Sequence, residues 1–305
     1  MTPSSHMGDM GDMGDTGNAG HTGGAAAAGT LPDRSDLPYV TDVAEVVWSR
    51  NGLGNWTSAT VNKPLKDVRA PDAIWTPADW EGRWRAWLIL AEFAATDWRT
   101  AITLTPWDPA KVDEEIGILI RYAEDERTDA LGEIVAQNAS YEDFMAYFTS
   151  LLRITRSSHP SMFQLLHVAG TVGILVSMYF KHDPGPGRGP RPRPSQLCPA
   201  LLPPLTVPGH PAFPSGHAAQ SMLMALIAGE VMAGRNGAQG GGDVWKPLLQ
   251  QLACRIARNR EIAGLHYPSD TQAGFELARK TFNKLRNGEL FGSLFDAAIA
   301  EWPEA

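Results

Sequence analysis

Apolar residues recur along most of this chain at helical rather than strand spacing. The stretch Trp80 to Trp98 reads as an amphipathic helix, with Trp84, Trp87, Leu88, Leu90, Ala91, Phe93 and Ala94 on one broad face. A tryptophan stripe of this kind is expected to pack into a core rather than to form an aromatic cage. Further helices are predicted over about 110–123, 129–137 and 141–155, then a long apolar one from His159 to Phe180 that leads into Lys181. From Asp183 to Pro214 the chain is saturated with proline and glycine, which no regular helix or central strand can traverse. Helical patterns resume at 215–233, 244–259, 268–285 and 289–300, with a flexible Gly-rich patch at 234–242. Strand-type alternation is nearly absent, so the expected fold class is all-α, a helical bundle with long Pro/Gly-rich loops. Residues 1–33 are low complexity (a Met-Gly-Asp repeat, then Gly/Ala-rich sequence) and are expected to be a disordered tail. Residues 34–305 are then expected to form a single helical domain.

Composition narrows the possibilities. An apolar fraction of 43% suits a globular protein, and a net charge of −8 with pI near 5.5 argues against a nucleic-acid surface. Cys198 and Cys254 match neither a zinc site nor a disulfide framework. No basic, apolar secretory leader is visible at the N-terminus, and the apolar run Val168 to Phe180 is interrupted by Gly170 and Gly173. That run falls short of the roughly 20 residues a membrane span needs. A soluble, cytoplasmic protein without a membrane span is therefore expected; a homo-oligomer is compatible with the sequence. The acidic clusters Glu114-Glu115 and Glu124-Asp125-Glu126 read as solvated helix faces, and His159 and His167 as ordinary core or surface histidines.

In an acidic chain, an anion site has to be a local basic cluster. Three separated segments share that character. Lys181 begins the first, where Arg188, Arg191 and Arg193 enter the Pro/Gly-rich loop; Ser215-Gly216-His217 closes that loop; Arg260, His266 and Asp270 lie farther on. Ser215 suits the N-cap of the apolar helix that follows, and Gly216 permits close approach to unpaired backbone amides, the arrangement that binds tetrahedral oxyanions. Asp270 follows His266 by four residues and can hold one imidazole nitrogen, which leaves the other free to attack phosphorus or ligate a metal. Arg260 offers a planar fork to the anion.

These segments resemble the three-part signature K-x6-R-P, P-S-G-H and S-R-x5-H-x3-D of the phosphatidic acid phosphatase type 2 / vanadium-dependent haloperoxidase superfamily. Pro214 to His217 match the second part in full. Arg260, His266 and Asp270 match the third, with Asn259 where the family usually has Ser. The first part departs: Arg188 keeps the spacing from Lys181 but is followed by Gly189, whereas Arg193-Pro194 has the local sequence twelve residues after the lysine. Arg193 is favoured, with Arg188 as the alternative. The resemblance covers roughly 160–285. It implies that Lys181, Arg193 and Arg260 neutralise the oxygens of bound phosphate or vanadate while Ser215 and the Gly216 amide hydrogen-bond them. It implies also that His266, held by Asp270, is nucleophile or vanadium ligand, and that His217 is the acid/base.

One pocket of this kind serves two chemistries in the superfamily. His210, seven residues before His217, stands where bromoperoxidases of the family also carry histidine. The leading expectation is thus a vanadate-dependent haloperoxidase that oxidises a halide, bromide favoured, with hydrogen peroxide. A soluble acid phosphatase hydrolysing phosphomonoesters through a phosphohistidine, with no cofactor, is the alternative. A non-catalytic phosphate-binding domain is a third.

Overall fold

The computed structural model describes residues 42–50, 55–64, 81–185, 189–235 and 244–302. The chain divides into two compact units, 1–74 and 75–305. The expected tail at 1–33 and Arg188 lie outside the described residues, as does most of the Gly-rich patch at 234–242. In the first unit, β1 (Asp42–Arg50) and β2 (Trp56–Pro64) pair antiparallel, with Asp42 opposite Pro64 and Arg50 opposite Trp56. Helical periodicity gave no hint of this hairpin. Its signals are the β-branched residues Val43, Val46, Val47, Thr57, Thr60 and Val61 and an Asn51-Gly52 pair between the two runs.

The second unit is helical, as expected. Its elements are α1 (Gly82–Ala94), the short α2 (Trp98–Ala101), α3 (Val112–Asp125), α4 (Arg127–Ala136), α5 (Tyr141–Leu152), α6 (Pro160–His182), the short α7 (Pro194–Leu197), α8 (Gly216–Arg235), α9 (Trp245–Ile262), α10 (Pro268–Leu285) and α11 (Glu289–Ala300). Helix starts follow capping chemistry. Ser140 accepts from the Glu142 amide while Asp143 reaches back to the Ser140 amide, and Pro268 opens α10 where its missing N–H costs nothing. Buried Leu165, Leu166, Val168, Val172 and Val176 of α6 and Leu223, Ile227 and Val231 of α8 fill the centre of the main core.

Two expectations change here. On α1 the buried residues include Ala86, Ile89 and Phe93, while Trp84, Trp87 and Leu88 are 49%, 48% and 45% exposed. The helix is apolar on nearly every side, so periodicity alone picked the wrong face. Helix α6 spans 23 residues, and its apolar window has a mean hydropathy of 1.5, so by length and composition it is able to cross a membrane. The expectation of no such segment counted only Val168 to Phe180 and omitted the turns before it. Because 72% of that window is buried within the protein, α6 serves here as a core helix. The cytoplasmic location inferred from sequence loses its basis.

The glycines that interrupt apolar runs are points of close approach. A Cβ on Gly173 would stand 2.7 Å from Gln220 Cγ, where α8 crosses α6. A Cβ on Gly274 would stand 2.7 Å from the Ser215 carbonyl oxygen and 3.1 Å from the Ala219 amide nitrogen, where α10 meets the first turn of α8. Those atoms are backbone and cannot swing away. Gly274→Ala is therefore expected to destabilise the protein by about 1–3 kcal/mol, in the range of core overpacking. Urea denaturation should show a lower midpoint, and oxyanion binding should weaken in the folded variant because Ser215 is pushed out of place.

Candidate functional site: a buried oxyanion pocket

The three sequence segments meet in one cavity of about 210 Å³, whose walls include Lys181, Arg193, His210, Gly216, His217, Arg260 and His266. Lys181 comes from the last turn of α6, Arg193 and His210 from the Pro/Gly-rich loop, Gly216 and His217 from the first turn of α8, and Arg260 from the last turn of α9. Tyr141, Phe144, Ile174, Met178 and Leu265 make the rest of the wall largely apolar. Ser215 and Asp270 are fully buried and stand behind this wall.

His266 has both ring nitrogens assigned by its neighbours. The Arg193 guanidinium can only donate, so its contact of 3.1 Å makes His266 Nε2 the acceptor. Nδ1 therefore carries the proton and donates to Asp270 Oδ2 at 3.3 Å. The same Oδ2 accepts from the Tyr267 amide at 2.9 Å, so Asp270 also acts as an ordinary N-terminal capping residue of α10. A backbone bond from the Ser215 amide to the Asp270 carbonyl, 3.0 Å, ties α8 to α10.

The start of α8 behaves as its sequence indicates. Ser215 is the N-cap, its Oγ accepting from the Ala218 amide at 3.4 Å, and the first intrahelical bond runs from Ala219 to the Ser215 carbonyl. The amides of Gly216 and His217 precede that bond and face the electropositive end of the helix. His217 Nε2 donates to the Gln137 carbonyl at 2.9 Å, which leaves Nδ1 as the nitrogen able to gain a proton.

The cations divide into two kinds. Lys181 uses all three donors on the carbonyls of Pro211, Ala212 and Pro214, at 2.8, 3.0 and 2.6 Å. It fixes the turn before Ser215 and lends its charge to the pocket, which differs from the direct oxygen contact expected from the sequence. Arg193, buried and favoured over Arg188, donates to the carbonyls of His210 and Leu265 as well as to His266 Nε2 and His210 Nδ1. Arg260 spends one Nη2 hydrogen bond of 2.6 Å on the Ile134 carbonyl; its Nε and Nη1 are buried and have no partner among the described residues. A buried guanidinium with two unused donors is the arrangement an oxyanion completes.

Two residues of the site were misjudged from sequence. Glu115, read as part of a solvated face, is only 6% exposed, and Arg191, named in the loop but given no role, is 1% exposed. Arg191 Nη2 meets Glu115 Oε2 at 2.5 Å, and its Nη1 meets both Asp270 Oδ1 and Ser269 Oγ at 2.7 Å. Its guanidinium lies 3.7 Å from the Tyr267 ring centroid. The doubled Arg-Pro-Arg-Pro run was the available signal, and of its two arginines Arg193 lines the cavity while Arg191 does not.

Burial lowers the pKa of every histidine here. His266 is driven well below its ordinary value by desolvation and then by Arg193 and Lys181; His217 is pushed down to about 3 by desolvation and Arg260. Desolvation takes His167, beside Tyr141, down to about 4 and also lowers His210. Arg193 and Arg260, lowered by burial to about 10, stay charged at neutral pH. Asp270 is raised by desolvation and lowered by Arg191. Desolvation, then the neighbouring Arg193, takes Lys181 down to about 7, so it is only partly charged at neutral pH, and the lasting positive charge at the cavity wall comes from Arg193 and Arg260.

The fold and this pocket define a helical protein with a buried cavity lined by cations and histidines. Residues 145–281 match the sequence model of the PAP2 superfamily. No curated protein matches the chain. Among solved structures, the crystal structure of a transmembrane PAP2-type phosphatidylglycerolphosphate phosphatase from Bacillus subtilis is similar at 16% identity and a TM-score of 0.31, covering 68% of this chain and 94% of that one.

The histidine shifts set a pH dependence. A base whose folded pKa lies below its unfolded value near 6.5 costs stability once the unfolded chain can take up protons. The contribution is intact above about 6.5 and is lost as pH falls toward the folded values. Each histidine that stays neutral costs about 1.4 kcal/mol per pH unit in that window. Thermal unfolding of the unliganded protein is expected to be flat above pH 7 and to drop steeply toward pH 4.5. His167→Phe, which removes one such group outside the pocket, should make the drop shallower.

Proposed function

We propose that the protein is a phosphomonoester hydrolase working through a phosphohistidine at His266. The observation that carries this reading is the imidazole itself: Nδ1 is tied to Asp270, while Nε2 borders the cavity beside two arginines, one with unused donors. The chain supplies every group this route requires.

In the empty pocket Arg193 caps the Nε2 lone pair. A bound phosphate competes for that guanidinium and for the free donors of Arg260, and so uncovers Nε2. The Nε2 lone pair attacks phosphorus, the ester P–O bond breaks, and the departing oxygen takes a proton from His217. Asp270 balances the charge that develops on the His266 ring. Water then attacks the phosphohistidine and gives its proton to His217, and the P–N bond pair returns to Nε2. His217 has to be protonated for the first step. The Gln137 carbonyl favours that form, and the negative charge of the substrate offsets the cations that depress it.

Vanadate is isostructural with phosphate, and the same residues fit it: His266 Nε2 as ligand, with Arg193, Arg260 and the Gly216 amide toward its oxygens. Bound there, it would supply peroxide activation for halide oxidation. His210 lends that second reading its support, since it lines the cavity with Nδ1 on Arg193.

Hydrolysis of a generic phosphomonoester is expected, competitively blocked by orthovanadate. Radiolabelled substrate should leave acid-labile phosphate on the wild type and none on His266→Gln. Arg260→Met should weaken inhibition by inorganic phosphate about 10- to 100-fold, the worth of one or two charge-assisted hydrogen bonds. Bromination by peroxide that requires vanadate, without phosphatase activity, would reverse the order of the two readings.

A further inference from the structure

We propose that Arg191 and Glu115 are positioning residues of this site, forming with Asp270 a buried clamp that sets the orientation and tautomer of His266. Neither residue touches the cavity, and neither belongs to the three-part signature. The clamp is continuous. Glu115 Oε2 holds Arg191 Nη2 at 2.5 Å, Arg191 Nη1 holds Asp270 Oδ1 at 2.7 Å, and Asp270 Oδ2 faces His266 Nδ1 at 3.3 Å. Glu115 Oε1 also accepts from the Ser269 amide at 2.7 Å, which fixes the first turn of α10, on which Asp270 stands. The Tyr267 ring, 3.7 Å from the guanidinium, prevents it from sliding along the carboxylates.

The geometry assigns a division of labour within Arg191-Pro192-Arg193. Arg193 donates to Nε2 of His266, whereas Arg191 acts on Nδ1 through Asp270. One short loop thus grips the imidazole at both nitrogens. Asp270 sits among Lys181, Arg193 and the two members of the clamp in a fully buried position. A carboxylate there rotates toward any free cation unless one of its oxygens is pinned. Pinning Oδ1 on Arg191 keeps Oδ2 on the Tyr267 amide and aligned with Nδ1, which reinforces from the Nδ1 side the tautomer that Arg193 favours at Nε2. A proton-free Nε2, required for attack on phosphorus, is the consequence.

The clamp's catalytic consequence rests on the phosphohistidine reading, but its effect on the tautomer does not. The test uses the full chain labelled with ring-¹⁵N histidine, with the His266 signals assigned by their loss in His266→Gln. In the wild type His266 should be the Nδ1–H tautomer at neutral pH. In Glu115→Gln and Arg191→Lys, which preserve volume, the signal is expected to move toward a mixture of both tautomers. In the same variants kcat for a phosphomonoester should fall about 10- to 100-fold, the usual cost of disturbing a group that orients a reactive one, with KM and inorganic-phosphate binding little changed. A purely structural ion pair would lower the melting temperature and leave the tautomer as in the wild type; that result in the folded variants overturns the proposal. Glu115→Gln carries the test if Arg191→Lys does not fold. A wild type that hydrolyses no phosphomonoester, with the tautomer shift present, removes the phosphatase reading and leaves the clamp standing.

Discussion

The site depends on where one buried carboxylate points. Asp270 is fully buried, and both of its oxygens are committed: Oδ1 takes Arg191, while Oδ2 serves the Tyr267 amide and His266 Nδ1. Its backbone carbonyl receives the Ser215 amide. The residue therefore joins the start of α10, the His266 ring and the Ser215 turn in a single position. An ionised carboxylate so deep is costly unless paired and hydrogen-bonded. That requirement explains the surrounding architecture: a second arginine from the loop, a glutamate from α3 to hold it, and Gly274 to let α8 approach α10 closely enough for the backbone bond.

The pocket is organised around an unmet electrostatic demand. Buried cations normally find acceptors inside the protein: Lys181 does with all three donors, and Arg191 does with both terminal nitrogens, leaving only its Nε without a partner among the described residues. Arg260 has two donors unpartnered among the described residues, and Arg193 turns to two neutral imidazoles. An incompletely satisfied buried guanidinium costs stability, and natural proteins keep such groups where a ligand supplies the missing acceptors. Desolvation and the same cations depress every pocket histidine, which favours the neutral imidazoles there.

The helical class and the residues that meet at the cavity were legible because each has a local signature. Ser215 caps a helix, Pro268 opens one, and His266 and Asp270 lie one helical turn apart. What escaped the sequence depends on tertiary placement. Trp84 and Trp87 have the composition of a core and face outward, because a helix apolar on several sides gives periodicity nothing to choose between. Glu115 belongs to a run of acidic residues indistinguishable from a solvated face until the loop carrying Arg191 lies across it. The span of α6 was underestimated because polar Gln164 and His167 broke the apolar count, although both are buried. The hairpin at 42–64 was hidden by the short length of its alternation beside so many helical patterns.

The end of α4 shows how a backbone can shape such a site without any motif residue. The last carbonyls of a helix have no intrahelical partner and carry partial negative charge. Here the Ile134 carbonyl receives Arg260, and the Gln137 carbonyl receives His217 Nε2. One helix terminus thereby orients Arg260 and His217 together, and the Gln137 carbonyl favours the charged form of His217 against the repulsion of Arg260. Asn259, standing where the family usually has Ser, donates its amide to Gln137 Oε1 at 3.1 Å and to Glu133 Oε2 at 3.0 Å. The substitution next to Arg260 therefore fastens α4 to α9 at the level of those two carbonyls. That departure from the signature is, in this chain, part of what holds His217 and Arg260 in register.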